Sequence, residues 1–346
     1  MDVFSFGSNS SCQLAQPSGE DAHEPRQVEL AAGSGVVASN GNHTLMLDGD
    51  GRLFAAGCNS HGQCFADGAV LPQFARVGAG DRRVTHCAGG WAFSVVVYDD
   101  GTGPEVHTAG HGPAGELGLG PTTPQSRGAR VAEFPPAGRR VAQVAAGMAH
   151  VAVLLDDGQV WGWGNGRKGQ LGDARGPCWR PVCVWPGGAA AVACGREFTV
   201  VADAAGKIAV LGAAKHGLHD VPAGAAMGSP GPSPLAGWTS VQAGWTTIHV
   251  VVDGRIVAWG ANGHGQLPPY AAGDGPRFTR VAVGSEHTLA ATADGRVYAW
   301  GWGEHGNCGP GGDVVIRRFA EVFCARTPLL LLGAGCATSW IGVAAL

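Results

Sequence analysis

The sequence predicts an all-β fold, a seven-bladed β-propeller in which strands from the two ends of the chain share one blade. Three observations support this prediction. A short β-rich segment that ends in glycine occurs seven times. Six of the copies are preceded by a glycine or its replacement, then a histidine-like position, an apolar run and a turn. The end of the chain carries the upstream element that the first copy lacks.

The glycine-ended segment recurs at intervals of roughly 40 to 55 residues, which is the range of propeller blades and not of helical repeats. Residues 160–172, VWGWGNGRKGQLG, are its fullest copy. Glycine supplies 59 of the 346 residues, yet the period of collagen is missing. The final glycines of the seven copies are Gly7, Gly57, Gly110, Gly164, Gly212, Gly260 and Gly301.

The upstream element places a glycine three residues before a histidine or its replacement. Asn40 takes the glycine position in the second repeat. Asparagine is the non-glycine residue that best tolerates a positive φ, so we expect the backbone at this position to require a positive φ. Asp-Gly pairs follow the apolar runs and predict tight hairpins. The upstream glycines are Gly90, Gly147, Gly195, Gly244 and Gly284, and the pairs are Asp50-Gly51, Asp157-Gly158, Asp253-Gly254 and Asp294-Gly295.

A small antiparallel sheet cannot bury both of its faces alone, so neighbouring units must cover each other. The first copy begins at Val3 without an upstream strand, whereas Gly335 opens a matching element near the end of the chain. We therefore expect residues 333–346 to complete the first blade of a single domain, 1–346, and to leave no open sheet edge. Large side chains should fill the wedges between blades; these are Phe6, Trp163, Trp259 and Trp300.

The composition argues against several classes of protein. Hydrophobic residues make up 45% and charged residues 14% of the chain, and the formal net charge is −4. No basic run is present to follow phosphates, which argues against direct nucleic-acid binding. The longest late apolar run, 328–334, is too short for a membrane helix. Ten scattered cysteines without a C-x-x-C pair, and no signal peptide, predict free thiols in the cytoplasm and also in the nucleus.

No arrangement of side chains predicts catalysis, a cofactor or a metal. The sequence has neither a G-x-S-x-G elbow nor a nucleotide-binding G-x-x-x-x-G-K loop. Residues one to a blade on an outer rim lie too far apart to share a metal ion. These rim residues are His61, His216, His264 and His305, with Lys168 in the fourth repeat, whereas His43, His150 and His287 should be buried and hydrogen-bonded to a neighbouring turn. Cys178 and Cys183 form a lone pair that we assign to a surface loop.

Hairpin geometry divides the loops between two faces, and the residues just before each histidine position should lie nearest the centre of the ring. Aromatic and arginine side chains there are typical of protein-binding surfaces. The alternative is that the indoles lie flat over the channel mouth and close it. The predicted partner-binding residues are Trp91, Met148, Arg196, Glu197, Trp245 and Glu286, with Trp179, Trp185 and Trp238 in irregular connectors as further candidates.

The repeated WGxNxxGQLG and GxxHT patterns resemble the regulator-of-chromosome-condensation repeat family, whose members are seven-bladed β-propellers. The match is strongest at 165–172, 262–267 and 286–288 and weakest in the fifth repeat, LGAAKHGL. In its short length and bare propeller the chain is similar to fungal members that partner a small zinc-binding electron carrier. This resemblance implies a non-enzymatic scaffold in diphthamide synthesis and Elongator modification of the tRNA wobble uridine, with that carrier and Elongator-associated proteins as partners and no membrane contact.

Two other functions stay open within the same resemblance. The first is guanine-nucleotide exchange on a Ran-like GTPase, because the third repeat carries an insertion, DDGTGPEV, at Asp99 to Val106. That hairpin should lie on the Asp-Gly face, and the chain lacks a basic tail. The second is ultraviolet reception, whose G-W-R-H-T pattern is only half matched by GWAFS at 90–94 and GWTTI at 244–248.

Overall fold

The computed structural model describes residues 1–30, 35–78, 80–270 and 275–345. Over these residues twenty-six strands form seven antiparallel sheets around a central channel. The predicted seven-bladed β-propeller is therefore confirmed. In the described ranges no helix is long and apolar enough to cross a membrane.

Blades are numbered in chain order, and their strands are given from the channel outwards. Blade 1 consists of β25 (Leu329–Ala334), β26 (Thr338–Val343), β1 (Asp2–Gly7) and β2 (Ala22–Val28). Blade 2 consists of β3 (Gly35–Asn40), β4 (His43–Asp48), β5 (Leu53–Cys58) and β6 (Val70–Val77). Blade 3 consists of β7 (Val84–Gly89), β8 (Phe93–Tyr98), β9 (Glu105–His111) and β10 (Gln125–Arg130).

The remaining four blades follow the same order. Blade 4 consists of β11 (Val141–Ala146), β12 (His150–Leu155), β13 (Val160–Asn165) and β14 (Pro177–Trp185). Blade 5 consists of β15 (Ala191–Cys194), β16 (Phe198–Ala202) and β17 (Ile208–Gly212), and blade 6 of β18 (Trp238–Ala243), β19 (Thr247–Val252) and β20 (Arg255–Gly260). Blade 7 consists of β21 (Arg280–Val283), β22 (His287–Ala291), β23 (Arg296–Trp302) and β24 (Val315–Cys324).

Blade 1 is assembled from both ends of the chain. Strands β1 and β26 pair in continuous antiparallel register from Asp2 opposite Val343 to Gly7 opposite Thr338. The innermost strand, β25, begins at Leu329 and so includes the apolar run that precedes the segment 333–346. The innermost strands of neighbouring blades are in contact all around the channel, including β21 with β25 and β25 with β3. The predicted closure within one blade is confirmed.

The glycine that ends each repeat segment has the same backbone conformation in every blade. The φ angles of all seven glycines are positive, from 103° at Gly57 to 120° at Gly212. A β-carbon at Gly164 would lie 2.6 Å from the carbonyl oxygen of Ala149, and overlaps of this kind occur at all seven positions. Only glycine fits both constraints, which explains why this position defines the repeat.

The glycines of the upstream element have a different role from the one that Asn40 suggests. Neither Asn40 nor any of the five upstream glycines adopts the left-handed region. The expectation of a positive φ is therefore wrong. The limiting factor is space, because a β-carbon at Gly147 would strike the ring of His150, and one at Gly195 would strike the ring of Phe198.

Large aromatic side chains fill the wedges between blades, as predicted. Trp163, Trp300 and Phe6 are fully buried and Trp259 is 8% exposed. Each of the three indoles donates Nε1–H to a carbonyl oxygen of the preceding blade, as Trp163 does to Glu116 at 2.9 Å. Trp340 of β26 is a further wedge residue that the repeat pattern does not predict, and it is fully buried against Phe74.

Buried histidines join each of several blades to the following blade. The Nε2 atoms of His43, His150 and His287 lie 2.7 to 3.0 Å from a hydroxyl of the next blade. The hydroxyl of Ser339 donates its own hydrogen to the carbonyl of Asn307, so the imidazole of His287 is the donor to Ser339. The predicted burial and hydrogen bonding of these histidines are confirmed, but the predicted partner, a neighbouring turn, is wrong, because the hydroxyls belong to strands β8, β16 and β26.

Blades 5 and 6 contain three strands each in the described part of the chain. Beside β17 the fourth-strand position is covered by an irregular segment, residues 213–237, whose Leu218, Ala225 and Leu235 are buried. Lys207 holds this segment because its Nζ lies 2.7 to 3.1 Å from three of its carbonyl oxygens. The weak resemblance of the fifth repeat thus corresponds to a real loss of regular structure.

Replacing Lys207 by methionine is expected to loosen residues 213–237, because three carbonyl oxygens lose their charged donor. We expect a loss of stability of about 1 to 3 kcal/mol and faster amide hydrogen exchange within this segment. Hydrogen exchange followed by mass spectrometry checks the prediction, with Lys215→Met in the same segment as the matched control. Equal exchange in the two variants would show that Lys207 does not hold the segment.

Candidate functional site

The candidate site is formed by the loops that join the first and second strands of the blades, here called the inner loops. Trp91 lies between β7 and β8, Met148 between β11 and β12, and Trp245 between β18 and β19. Arg196 and Glu197 lie between β15 and β16. Because every blade enters its second strand at the same end of the ring, these loops surround one mouth of the channel, here called the loop face.

Two indoles from different blades meet at this mouth. The rings of Trp91 and Trp245 lie 5.8 Å apart between centroids at an angle of 50°, although they belong to blades 3 and 6. The guanidinium carbon of Arg196 lies 5.5 Å from the ring centre of Trp245, on which it forms a cation–π contact. Trp91 remains 43% exposed. This aromatic pair with its arginine gives the inner loops a partly exposed apolar surface.

Backbone hydrogen bonds between neighbouring inner loops fix the position of these side chains. The amide of Trp91 donates to the carbonyl of Met148, and the amide of Arg196 donates to the carbonyl of Trp245, both at 3.2 Å. The backbone amide of Trp245 in turn donates to the carbonyl of Ser285 at 2.8 Å. The contribution of Met148 is therefore made by its backbone, and the loops form a preorganised rim.

Trp245 separates three cavities. The central channel holds a cavity of about 350 Å³ that is bounded by the innermost strands and reaches Trp245. A side pocket of about 230 Å³ lies between Trp245 and Lys215 and includes Glu197 in its wall. A second pocket, of about 210 Å³, lies on the side of Glu286. The structure thus gathers four of the other five predicted site residues around the indole of Trp245, and the fifth, Met148, supports Trp91 through its carbonyl oxygen.

The channel wall carries thiols that are held in the neutral form. Cys87 and Cys194 border the central cavity, and burial raises the pKa of each thiol to about 12. All ten cysteines are free, as the sequence predicts. Because the thiolate is the reactive form, the raised pKa lowers the reactivity of these two channel thiols at neutral pH.

Glu286 makes contacts that orient its carboxylate. Its Oε2 accepts a hydrogen bond from Nε2 of Gln266 at 2.6 Å, and Thr246 donates to the same carboxylate at 3.2 Å. Glu286 is half-buried and belongs to the wall of the pocket of about 210 Å³. Its charge is therefore held beside the indole of Trp245.

Several other residues lie where the sequence does not place them. Cys178, Cys183, Trp179 and Trp185 belong to strand β14 and not to a loop or an irregular connector. Trp238 begins the innermost strand of blade 6 and donates Nε1–H to the carbonyl of Asp203 at 2.8 Å. The interpretation of these segments as connectors, which rested on their prolines and glycines, is wrong.

The outer-rim histidines make separate contacts. His61 stacks on His111, His264 lies against Trp302, and His305 pairs with Asp21 through Nδ1 at 2.8 Å. Among the residues that the structure describes, no group of three or more histidine, cysteine, aspartate or glutamate side chains could hold a metal ion.

Two residues of the second pocket, Trp302 and Asn307, are not among the predicted site residues. Trp302 follows the glycine that ends the seventh repeat segment. Asn307 stands where four other blades have the glutamine of the GQLG pattern. That departure is visible in the sequence, but its effect depends on side-chain reach.

The fold and the rim define a class of protein, a closed seven-bladed propeller whose inner loops present an aromatic surface. A family model described as the RCC1-like domain matches residues 2–341. A fission yeast (Schizosaccharomyces pombe) protein, "RCC1 repeat-containing protein C10F6.04", is 31% identical over 98% of both chains. The chain belongs to the RCC1-like propeller family.

Two further similarities fit this assignment. The Arabidopsis thaliana ultraviolet-B receptor UVR8 is 29% identical, and the match covers 84% of this chain and 70% of that protein. The crystal structure of Prp20p from Saccharomyces cerevisiae, described with its binding to Gsp1p and histones, matches with a TM-score of 0.82 at 21% identity, over 100% of this chain and 92% of that one. At this identity the structural match shows a shared fold.

Proposed function

We propose that the chain is a non-enzymatic protein-binding scaffold whose loop face docks a small zinc-binding electron-carrier protein. Through that carrier it serves diphthamide synthesis and the Elongator modification of the tRNA wobble uridine. The pathway and the carrier come from the resemblance to the bare fungal propellers. The observation that carries the docking role is the exposed Trp91 against Trp245 and Arg196 on a fixed rim.

The chemistry of the rim supports binding. Tryptophan and arginine are the residues that most often dominate the energy of protein interfaces. The hydrogen bonds between loops hold the surface before a partner arrives, so little conformational entropy is lost on association.

Trp91→Ala and Arg196→Ala are expected to weaken partner binding by roughly tenfold or more each. The tagged protein is purified from its native cytosol, and co-purifying proteins are identified by mass spectrometry and analysed for zinc. Arg140→Ala is the matched control, because Arg140 is an exposed arginine that pairs with Asp99 on the opposite face. Absence of a small zinc protein, or its equal recovery with all variants, would refute the proposed scaffold role.

The alternative is guanine-nucleotide exchange on a Ran-like GTPase. Its candidate element is the turn between β8 and β9, residues 99–104, which lies on the face opposite Trp91; Glu105 and Val106 already belong to β9. We expect no acceleration of labelled GDP release from Ran by the purified protein. Acceleration that depends on residues 99–104 would favour exchange over the scaffold.

A further inference from the structure

The loops of blades 4 and 5 give the loop face a basic sector. On this face they comprise residues 147–149, 166–176, 195–197 and 213–237, and they carry more arginine and lysine than acid, although the net charge of the chain is −4. The corresponding loops of blades 7 and 1 contain acids and neither lysine nor arginine. An anionic partner surface is therefore steered towards blades 4 and 5. The basic residues of the sector are Arg167, Lys168, Arg175, Arg196 and Lys215, against Asp173, Glu197 and Asp220, and the acids of blades 7 and 1 are Glu20, Asp21, Glu286, Glu304 and Asp313.

The side pocket of about 230 Å³ lies inside the basic sector. Its wall includes Arg196, Lys215 and His216, and Glu197 is the one acid that lines it among the residues that the structure describes. Arg196, Lys215 and His216 are exposed, whereas Glu197 is half-buried. The wall thus presents two permanent cations to solvent and a single carboxylate.

A turn of blade 4 adds positive charge beside this pocket. Arg167 and Lys168 are exposed in the turn. A β-carbon at Gly169 would lie 3.8 Å from the Cα atom of Gly212, and Gly212 precedes Ala213 of the pocket wall. The turn is therefore packed against the edge of the side pocket, where its two charges favour an anion.

The guanidinium of Arg196 is held in place without a carboxylate partner. Its central carbon lies 5.5 Å from the ring centre of Trp245, and the backbone amide of Arg196 donates to the carbonyl of Trp245 at 3.2 Å. The side chains of Arg196 and Lys215 form no hydrogen bond or ion pair with any other residue that the structure describes. The guanidinium therefore offers its five donors, in a planar fork that matches a carboxylate, to a group from outside the chain.

We propose that the side pocket binds the carboxylate of an aspartate or glutamate in an acidic segment of a partner protein. The carboxylate can accept two parallel hydrogen bonds from Arg196, while Lys215 supplies a second positive charge. The pocket is smaller than the 300 Å³ or so that is usual for small-molecule sites, and its size suits a single side chain. The charge of Glu197 opposes the anion and lowers its affinity.

This inference deepens the proposed function and rests on it, because a partner protein supplies the carboxylate. The test uses the intact protein and a blocked tetraglutamate peptide, whose binding is followed through the tryptophan indole N–H signals by NMR. A dissociation constant in roughly the millimolar range is expected, and a blocked tetraglutamine peptide should bind about fivefold more weakly. Failure of the peptide test would leave recovery of a small zinc protein unaffected, and absence of that protein would leave peptide binding unaffected.

Variants test the location, and they should keep the fold because Arg196 is exposed. Arg196→Gln should reduce binding of the tetraglutamate peptide to the level of the tetraglutamine peptide. Arg196→Lys keeps the charge without the planar fork and should lose roughly threefold. Glu197→Gln should strengthen binding by about threefold, because an opposing charge is removed. Arg140→Gln replaces an exposed arginine that pairs with Asp99 on the opposite face, so this control should change nothing.

Three results would overturn the proposal. They are equal binding of the two peptides, unchanged binding by Arg196→Gln, and weaker binding by Glu197→Gln. Tighter binding of inorganic phosphate than of the tetraglutamate peptide at Arg196 would overturn it as well, in favour of a phosphate site.

Discussion

Replacing Trp340 by alanine is expected to lower the free energy of unfolding by about 3 to 5 kcal/mol, the usual cost of emptying a buried aromatic site. Trp340 is fully buried in β26, opposite Ser5 of β1, and contacts Phe74 of blade 2. The other blades are held together by continuous chain, whereas the two halves of blade 1 are joined only by pairing and packing. Loss of this indole therefore weakens the ring at its closure.

Denaturant unfolding followed by circular dichroism measures this effect. Trp91→Ala is the matched control, because the same truncation at a side chain that is 43% exposed should cost less than about 1 kcal/mol. Both variants should retain the native spectrum in water if the change is confined to stability. Equal destabilisation by the two substitutions would mean that the closure does not depend on Trp340.

Acid is expected to destabilise the protein through its buried histidines. Burial lowers the pKa of His43, His150 and His287 to about 4 and that of His249 to about 3, against 6.5 for an exposed histidine. Between these values the unfolded chain binds more protons than the folded one. The contribution of these neutral histidines to the free energy of unfolding is therefore fully present above pH 6.5. It decreases as the pH falls towards 4, and at pH 5 the loss is about 2 kcal/mol for each histidine.

The geometry gives the reason for this sensitivity. The Nδ1 atoms of all four imidazoles are buried without a hydrogen-bond partner among the described residues. Protonation would add an N–H group at a site that offers it no acceptor. In His43, His150 and His287 the neutral ring already makes the hydrogen bond to the next blade, so protonation adds only a buried charge and an N–H group without an acceptor.

Unfolding measured at pH 7.5 and at pH 5 checks the prediction. The variant His287→Phe introduces the residue that the chain itself uses at this position in blades 3 and 5, where Phe93 and Phe198 are buried. It should remove the contribution of His287, about 2 kcal/mol of the difference in stability between pH 7.5 and pH 5. An unchanged dependence would show that His287 does not contribute.

Much of the fold could be predicted because one position in each repeat tolerates only glycine. Gly164 and its equivalents combine a positive φ with a close approach to a carbonyl oxygen, so they mark every blade in the sequence. Trp340 escaped prediction because the final repeat element lacks the W-G pair that identifies the other wedge residues. The irregular segment beside β17 depends on the contacts of Lys207, which have no local signal.

The sequence predicts which residues belong to the candidate site, but it does not predict how they are arranged. The position of Trp91 and Trp245 before the second strand of each blade places both near the channel. Their contact across the ring depends on the width of the channel, which results from the packing of all seven blades. Asn307 shows the same limit, because its Oδ1 is buried without a hydrogen-bond partner among the described residues, whereas the longer side chain of Gln266 reaches the amide of His264.

The divided blade has a consequence for synthesis of the protein. Strand β1 leaves the ribosome first, and its partner β26 is made only after six other blades have emerged. Until then both ends of the growing arc expose unpaired backbone and apolar surface, which are features that promote aggregation. We expect the nascent chain to need chaperone protection until β26 has been made.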